Sequence, residues 1–319
     1  MPIKNKPADT LPPLIKPNPP LQDITFEKNY QIADLPIRVR ADLPITEGTF
    51  HPKFKKFEIG TLTTPLIDLA HRFHHPDLSP AILGDRIYQA PPWEIYRRKD
   101  GWFYLGRTRG DKGPGFFQAA LFSEDHARGE IFHPDPKIFQ IGNLTSLSLF
   151  PTDQIFLARV LTEYQACYLH GAGMIFGDRG LLFAGHSEAG KSTITHLLRE
   201  EGEILCDDRV IVRRHPEGFR VHGTWSHGDI PDVSSASALL KAILFLEQAP
   251  ENKLVPLPDR KEVFRRLVFL VIRPLVTGDW WEKQLSLLER IIQEVPAYIL
   301  KFRKDKGVRE VLQEILDAG

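Results

Sequence analysis

The chain of 319 residues has few cysteines and no excess of charge. Cys167 and Cys206 are its two cysteines, too few and too isolated for a disulfide framework. Lys plus Arg and Asp plus Glu number 41 each, so no net field attracts nucleic acid or an anionic membrane. We therefore expect a protein of the reducing cytoplasm that binds neither nucleic acid nor a membrane.

Long hydrophobic runs are also missing. No signal-like apolar segment follows the N-terminus, and the longest apolar stretch, 267–276, is interrupted by Arg273 and Pro274. This stretch is much shorter than the roughly 20 apolar residues that cross a bilayer as a helix. The hydrophobic fraction of 42% and the charged fraction of 26% are instead typical of a soluble globular protein with a sizeable core.

Proline content and strand-like patterns divide the chain into three segments. Residues 1–22 are rich in proline and poor in large apolar side chains, which predicts a flexible arm. Residues 23–150 contain short strand-like runs, among them two that flank the hairpin signal Asp100-Gly101, and predict a small β-rich (α+β) domain. Residues 151–319 predict an α/β domain.

The elements expected in this last segment follow from apolar periodicity and from glycine and proline breaks. They are helices at 153–168, 192–200, 260–269, 280–293 and 308–316, and strands at 171–176, 181–184, 204–213, 219–225, 241–247 and 297–303.

A glycine-rich loop follows the apolar run 181–184 and precedes the helical pattern at 192–200. It fits G-x-x-x-x-G-K-[ST], in which glycines let the backbone close around a polyphosphate and the next helix presents free amides to it. We expect Lys191 to contact the β- and γ-phosphates and Ser192 to bind Mg²⁺. The residues predicted to hold the nucleotide are Gly185, Ser187, Gly190, Lys191, Ser192 and Thr193.

An aspartate pair, Asp207 and Asp208, lies inside the apolar strand-like run 204–213. Paired acids in such a strand are costly unless a cation compensates them. One is expected to bind Mg²⁺ and the other to accept the proton of an incoming hydroxyl, and the sequence leaves open which does which. Neighbours on a strand point to opposite faces, so both can approach one ion only where the strand bulges or ends. Asp229, in a polar loop, is a further candidate metal ligand.

Three histidines and a group of aromatic residues each allow two interpretations. His71, His74 and His75 are either metal ligands or, as we expect, surface histidines near a helix end. A group of aromatic side chains forms either a binding face or, as we expect, the core of a small sheet. This group consists of Trp93, Tyr96, Trp102, Phe103, Tyr104, Phe116 and Phe117.

Three motifs together resemble the HPr kinase/phosphorylase family and its relatives. They are His170-Gly171-Ala172, the loop with Lys191, and the run 205–210 that contains the aspartate pair. The resemblance covers about 170–302 and implies a P-loop domain whose fold is related to that of ATP-dependent phosphoenolpyruvate carboxykinase. The long signature of the phosphorylase function is missing, and the residues before His170 do not look like that family's N-terminal domain. HPr itself is therefore not the expected substrate.

The resemblance implies an ATP-dependent kinase that phosphorylates a serine of a peptide or protein, with ATP and Mg²⁺ as cofactors. It implies catalytic roles for Asp207, Asp208, His170 and Lys191 and a metal site that includes the aspartate pair, to which the residues themselves add Ser192 and Asp229. Relatives of this kind often form homo-oligomers, but the sequence shows no interface. For His170 the alternative is a hydrogen-bonded histidine at the start of a strand. Two alternatives for the whole protein are a small-molecule phosphotransferase and a nucleotide-binding regulatory module without catalysis.

Overall fold

The computed structural model describes residues 26–108, 115–148, 150, 153–276 and 278–317. The predicted arm at 1–22 lies outside these residues. The described part of the chain is an α/β structure with two mixed β-sheets and few helices, as the α/β prediction requires. None of its helices is both long and apolar enough to cross a membrane.

The first sheet has nine strands in the order β3-β1-β2-β4-β9-β8-β7-β6-β5. The pairs β2–β4 and β4–β9 are parallel and the remaining pairs are antiparallel. The strands are β1 (Phe26–Ile32), β2 (Leu35–Ala41), β3 (Glu58–Ile59), β4 (Ile67–Arg72), β5 (Asp85–Ala90), β6 (Trp93–Arg97), β7 (Gly101–Thr108), β8 (Gly115–Ser123) and β9 (Arg128–Phe132), with the short helices α1 (Pro80–Leu83) and α2 (Lys137–Ile141).

The predicted hairpin at Asp100-Gly101 is confirmed, because β6 and β7 pair antiparallel with Arg97 opposite Trp102. The core assignment of the aromatics is confirmed for Tyr96, Trp102, Phe103, Tyr104 and Phe116, which are all buried. It is wrong for Phe117, which is exposed. Neighbouring residues on β8 face opposite sides of the sheet, so that burying Phe116 turns Phe117 outward.

The surface interpretation of the three histidines is wrong for His71. This residue lies on β4, is buried, and bonds through its two ring nitrogens to His133 Nε2 at 2.9 Å and to the Leu147 carbonyl at 2.8 Å. His74 and His75 are exposed. Within the described residues these three histidines do not come together as metal ligands.

The second sheet has the order β11-β10-β13-β14-β15-β17-β16, and β12 also pairs with β10. Because β11 also pairs with β15 in parallel, β10, β11, β15, β14 and β13 form a closed ring. The elements are β10 (Ala166–Phe176), β11 (Arg179–Ala184), β12 (Glu203–Cys206), β13 (Arg209–His215), β14 (Gly218–His222), β15 (Ser237–Gln248), β16 (Lys253–Pro256) and β17 (Ala297–Phe302), with α3 (Gln154–Glu163), α4 (Lys191–Leu198), α5 (Arg260–Leu270), α6 (Trp280–Glu294) and α7 (Val308–Asp317).

Two of the differences between the predicted and observed elements bear on the site; in addition, the strand expected at 219–225 ends at His222 and β16 was not expected. The helix expected to reach residue 168 ends at Glu163, because Gln165 has a positive φ of 52° and 166–169 enter β10, paired with β13. His170 consequently lies within a strand, where a strand start was expected. The strand expected at 204–213 is divided into β12 and β13 by a bend at Asp207 and Asp208. Both differences arise from pairing with β10, which local sequence does not encode.

One continuous hydrophobic core connects the two sheets. It contains Ile37 and Tyr104 from the first sheet and Trp225 from the loop after β14. The Trp225 ring lies 5.2 Å from the ring of Phe54 and its Nε1 donates to Asp153 Oδ2 at 3.0 Å. The domain boundary at residue 150 stays a prediction. A second core cluster under α4 and α7 includes Ile194, Phe302 and Leu312.

Candidate functional site

The loop 185–190 leaves the carboxyl end of β11, a buried strand that pairs with β10 on one side and β15 on the other. Gly190 has φ 103°, and a Cβ atom there would lie 2.5 Å from Phe302 Cζ. A Cβ on Gly185 would lie 2.6 Å from the Cβ of Ala189. Close packing therefore favours glycine at both positions of the motif, and at Gly190 the positive φ favours it as well.

Helix α4 begins at Lys191 directly after this loop. Its N-cap, Gly190, supplies no side-chain hydrogen bond, so the first amides of the helix are left to a ligand or solvent. Aligned peptide dipoles make such an end attractive to anions. Ser192 and Thr193, both half-buried, are the second and third residues of this helix. Ser187 is exposed on the loop.

Lys191 is folded over the loop and is only 7% exposed. Its Nζ donates to the carbonyls of Gly185 at 3.0 Å and of His186 at 2.8 Å. Burial lowers the pKa of Lys191, and the charges of Asp208 and Asp207 oppose that shift. The ammonium group is thus held by two carbonyls of the loop, within the electrostatic influence of two carboxylates.

Asp207 is buried beneath the start of α4. Its Oδ2 accepts from Ser192 Oγ at 2.9 Å and from the Ile230 amide at 3.0 Å, and its Oδ1 accepts from the Gly228 amide at 2.6 Å. A carboxylate with three donors is fixed in one orientation. Asp207 is therefore the aspartate of the pair that bonds to the loop serine.

Asp208 faces a different group of side chains. Its Oδ1 lies 3.3 Å from His170 Nδ1, and its Oδ2 accepts from Arg209 NH1 at 2.7 Å and from Ser226 Oγ at 3.0 Å. Burial raises the pKa of Asp208, but the hydrogen bond from His170, the charge of Arg209 and the Ser226 hydroxyl together outweigh burial and leave that pKa lowered. Asp208 is therefore held as a carboxylate.

The bend between β12 and β13 explains how adjacent acids reach separate partners. β10 pairs with β12 at Gly173–Cys206 and with β13 at His170–Arg209, and between these pairs the Gly171 amide donates to the Asp208 carbonyl at 3.0 Å. The side chain of Asp207 turns toward α4, and that of Asp208 turns toward His170. Both carboxylates lie close enough to Lys191 to affect its pKa.

Asp229 lies between the two residues whose amides hold Asp207, and it is exposed. Its side chain makes no hydrogen bond or ion pair within the described residues. The structure thus brings Lys191, Ser192, Asp207, Asp208 and His170 together, with Asp229 on the adjoining loop.

Three residues around the site were not predicted from sequence. Arg209 and Ser226 bind Asp208, and Arg209 NH1 also donates to Ser226 Oγ at 3.0 Å. Gln248, at the end of β15, donates from Nε2 to the Glu188 carbonyl at 3.1 Å and so supports the loop. Of these three residues, only Arg209 could have been suspected from the sequence, because it directly follows the aspartate pair. Ser226 and Gln248 come near only through the sheet pairing.

The oxygen atoms around Ser192 suit a magnesium ion. Mg²⁺ takes oxygen ligands at roughly 2.1 Å in octahedral geometry, which places adjacent ligands about 2.9 Å apart. Ser192 Oγ and Asp207 Oδ2 are 2.9 Å apart. A serine hydroxyl and a carboxylate at the mouth of a phosphate-binding loop are also the expected donor types.

Comparisons with known proteins give limited similarity. Residues 148–266 match the sequence profile of a family described as SynChlorMet cassette protein ScmC, and this stretch, less than half of the chain, contains the loop and both aspartates. A search of curated proteins found no match. The HPr(Ser) kinase/phosphatase from Coxiella burnetii aligns at 8% identity over 47% of this chain and 88% of its own, with a TM-score of 0.29, which is too low to establish a shared fold.

Proposed function

We propose that the chain binds ATP with Mg²⁺ and transfers the γ-phosphoryl group to a hydroxyl, the serine of a peptide or protein being the expected acceptor. The observation that carries this proposal is the 2.9 Å contact between Ser192 Oγ and Asp207 Oδ2 at the uncapped start of α4. This contact places the serine of the proposed phosphate-binding loop beside a carboxylate that suits a divalent ion.

The loop supplies the binding energy for the polyphosphate. Free amides at the start of α4 face the phosphate oxygens, and Lys191 exchanges its bonds to two loop carbonyls for bonds to the β- and γ-phosphates. Ser192 and Asp207 would hold Mg²⁺, with Asp229 on the neighbouring loop as an additional acid. Mg²⁺ held there would supply positive charge that offsets the negative charge developing on the transferred phosphoryl group.

Asp208 is assigned to the acceptor hydroxyl. Arg209, Ser226 and His170 fix both of its oxygens, so it can orient the hydroxyl and take its proton. As the new oxygen–phosphorus bond forms, the bond between the γ-phosphorus and the β–γ bridging oxygen breaks and ADP leaves. A carboxylate with a lowered pKa is a weak base. Phosphoryl transfer tolerates this because its transition state is loose and the proton leaves late.

The test measures nucleotide binding and phosphoryl transfer separately. We expect calorimetry to show Mg²⁺-dependent binding of ATP, and labelled ATP to mark a serine peptide library. Lys191→Met should weaken ATP binding about 10- to 100-fold, since it removes a charge-assisted bond to phosphate. Lys306→Met is the control, because Lys306 is an exposed surface residue paired with Glu200. Absence of Mg²⁺-dependent binding overturns the proposal.

The same experiment decides between the alternatives. Label appearing in a metabolite pool and not in peptides would indicate a small-molecule phosphotransferase. Tight binding of Mg-ATP without any Lys191-dependent product would contradict catalysis and leave a nucleotide-binding regulatory module.

A further inference from the structure

A second group of polar side chains lies where the first sheet meets the second. The two-residue turn between β1 and β2, Ala33-Asp34, has positive φ at both positions, 48° and 59°. The Ala33 carbonyl accepts from Arg213 NH1 at 2.6 Å, which anchors this turn on β13. Asp34 is thereby directed at two histidines, His215 at the end of β13 and His222 at the end of β14.

The three side chains converge on one point. His215 Nε2 lies 3.2 Å from His222 Nε2 and 3.7 Å from Asp34 Oδ2, and the closest ligand atoms of all three residues lie within 4.8 Å of one another. Two imidazole nitrogens bound to one tetrahedral Zn²⁺ at about 2.05 Å are roughly 3.3 Å apart. The observed separation meets this requirement without rearrangement of either strand.

Each imidazole can offer one ring nitrogen as a ligand, because a neutral ring carries its proton on one nitrogen and has a lone pair on the other.

The positive charges of two nearby arginines oppose the binding of a cation between Asp34, His215 and His222. Arg213 and Arg220 are opposite each other on the same hairpin, but each is already engaged. Arg213 binds the Ala33 carbonyl and lies over the Tyr164 ring at 5.9 Å, while Arg220 bonds to Ser237 and Glu217. The carboxylates of Asp34 and Glu217 offset part of their charge. The affinity should therefore be lower than that of a structural zinc finger.

We propose that Asp34, His215 and His222 form a binding site for a borderline transition-metal ion, Zn²⁺ foremost. Two imidazoles and one carboxylate are a donor set that suits Zn²⁺ and leaves a fourth position for water on the exposed side of Asp34. The ion ties the β1–β2 turn to the β13–β14 hairpin. β13 runs from Arg209, next to Asp208, to His215, about 20 Å along the strand, so this site is separate from the nucleotide site.

The experiment uses the full chain after removal of any affinity tag and treatment with a chelator. Zn²⁺ is titrated in competition with a chromophoric chelator, and Co²⁺ is added in parallel for its visible absorption in tetrahedral sites. We expect one equivalent of Zn²⁺, a tetrahedral Co²⁺ spectrum, and a higher Tm with Zn²⁺ than without it.

Asp34→Asn and His215→Asn are the deciding variants. Asp34 is half-exposed and its left-handed φ suits Asn, so this variant should fold like the wild type. Each variant should weaken Zn²⁺ binding by about 10-fold or more and abolish the Co²⁺ spectrum. The controls are the double variant His74→Ala/His75→Ala, which removes exposed histidines, and Asp207→Asn, which alters the nucleotide site. Zn²⁺ binding that is absent in the wild type, or unchanged in both deciding variants, overturns the proposal.

Discussion

Ser192 Oγ donates to Asp207 Oδ2 at 2.9 Å, although the two residues are 15 positions apart. The neighbouring Asp208 points away from this contact and toward His170. Adjacent and chemically identical side chains thus occupy two different environments, one at the start of α4 and one beside Arg209. Their roles in the proposed reaction should differ accordingly.

Asp207→Asn and Asp208→Asn should separate nucleotide binding from turnover. Asp207→Asn removes the charge next to Ser192, so the Mg²⁺-dependent affinity for ATP should fall about 10- to 100-fold. Asp208→Asn should leave that affinity close to the wild-type value and lower kcat about 100-fold or more. Calorimetry and initial rates measure the two effects. Asp178→Asn, at an exposed turn, is the control, and equal effects of both substitutions on affinity would contradict the assignment.

Ser226→Ala should lower kcat about 10-fold without changing ATP affinity. The Ser226 hydroxyl binds both Asp208 Oδ2 and Arg209 NH1, and its loss frees the carboxylate to change orientation. Steady-state kinetics with a phosphorylated product measures the effect. Ser237→Ala is a matched control, because it also removes a serine–arginine contact, with Arg220, but away from the site. Similar losses in both variants would argue for a general effect on folding.

Gly190→Ala should destabilise the loop more than Gly177→Ala does. Both glycines have positive φ, 103° and 63°, so both substitutions carry backbone strain. A Cβ at residue 190 would also lie 2.5 Å from Phe302 Cζ, whereas nothing lies within 4 Å at residue 177. The additional loss in the free energy of unfolding should be about 1–3 kcal/mol. Urea denaturation measures it, and equal losses would mean that Phe302 moves freely.

The free energy of unfolding should decrease as the pH falls from 6.5 toward 4. Burial lowers the pKa of His126 to about 3 and of His133 to about 4, while in the unfolded chain these groups keep their usual value of 6.5. The unfolded state therefore binds more protons in this window. Each histidine lowers the free energy of unfolding by about 1.4 kcal/mol for every pH unit of acidification. Urea denaturation between pH 7 and pH 5 measures the slope.

His126→Gln should reduce that slope by the contribution of one histidine, about 1.4 kcal/mol per pH unit, whatever the substitution does to stability at pH 7. The matched control is His74→Gln, which removes an exposed histidine and should leave the slope unchanged. A slope in His126→Gln equal to that of the wild type would show that His126 does not stay neutral in the folded protein.

Local sequence pattern was sufficient to predict many of the elements in residues 151–319. The helices expected at 260–269 and 280–293 are α5 and α6 within one residue at each end, and the strand at 297–303 is β17. Apolar periodicity determines these elements because each has one face against the core. The loop at 185–190 was also predictable as a strand-to-helix connection, because its glycine pattern lies between an apolar run and a helical pattern.

The sequence by itself determined these elements and the residue types that could serve chemistry: a glycine loop with Lys191, and two adjacent acids. Only the tertiary structure decided which partners they have. The bend that sends Asp207 to Ser192 and Asp208 to His170 depends on β10, and the approach of Asp34 to His215 and His222 depends on contact between the sheets. Pairing between distant strands depends on register and on packing across the whole core, and a local pattern does not specify either.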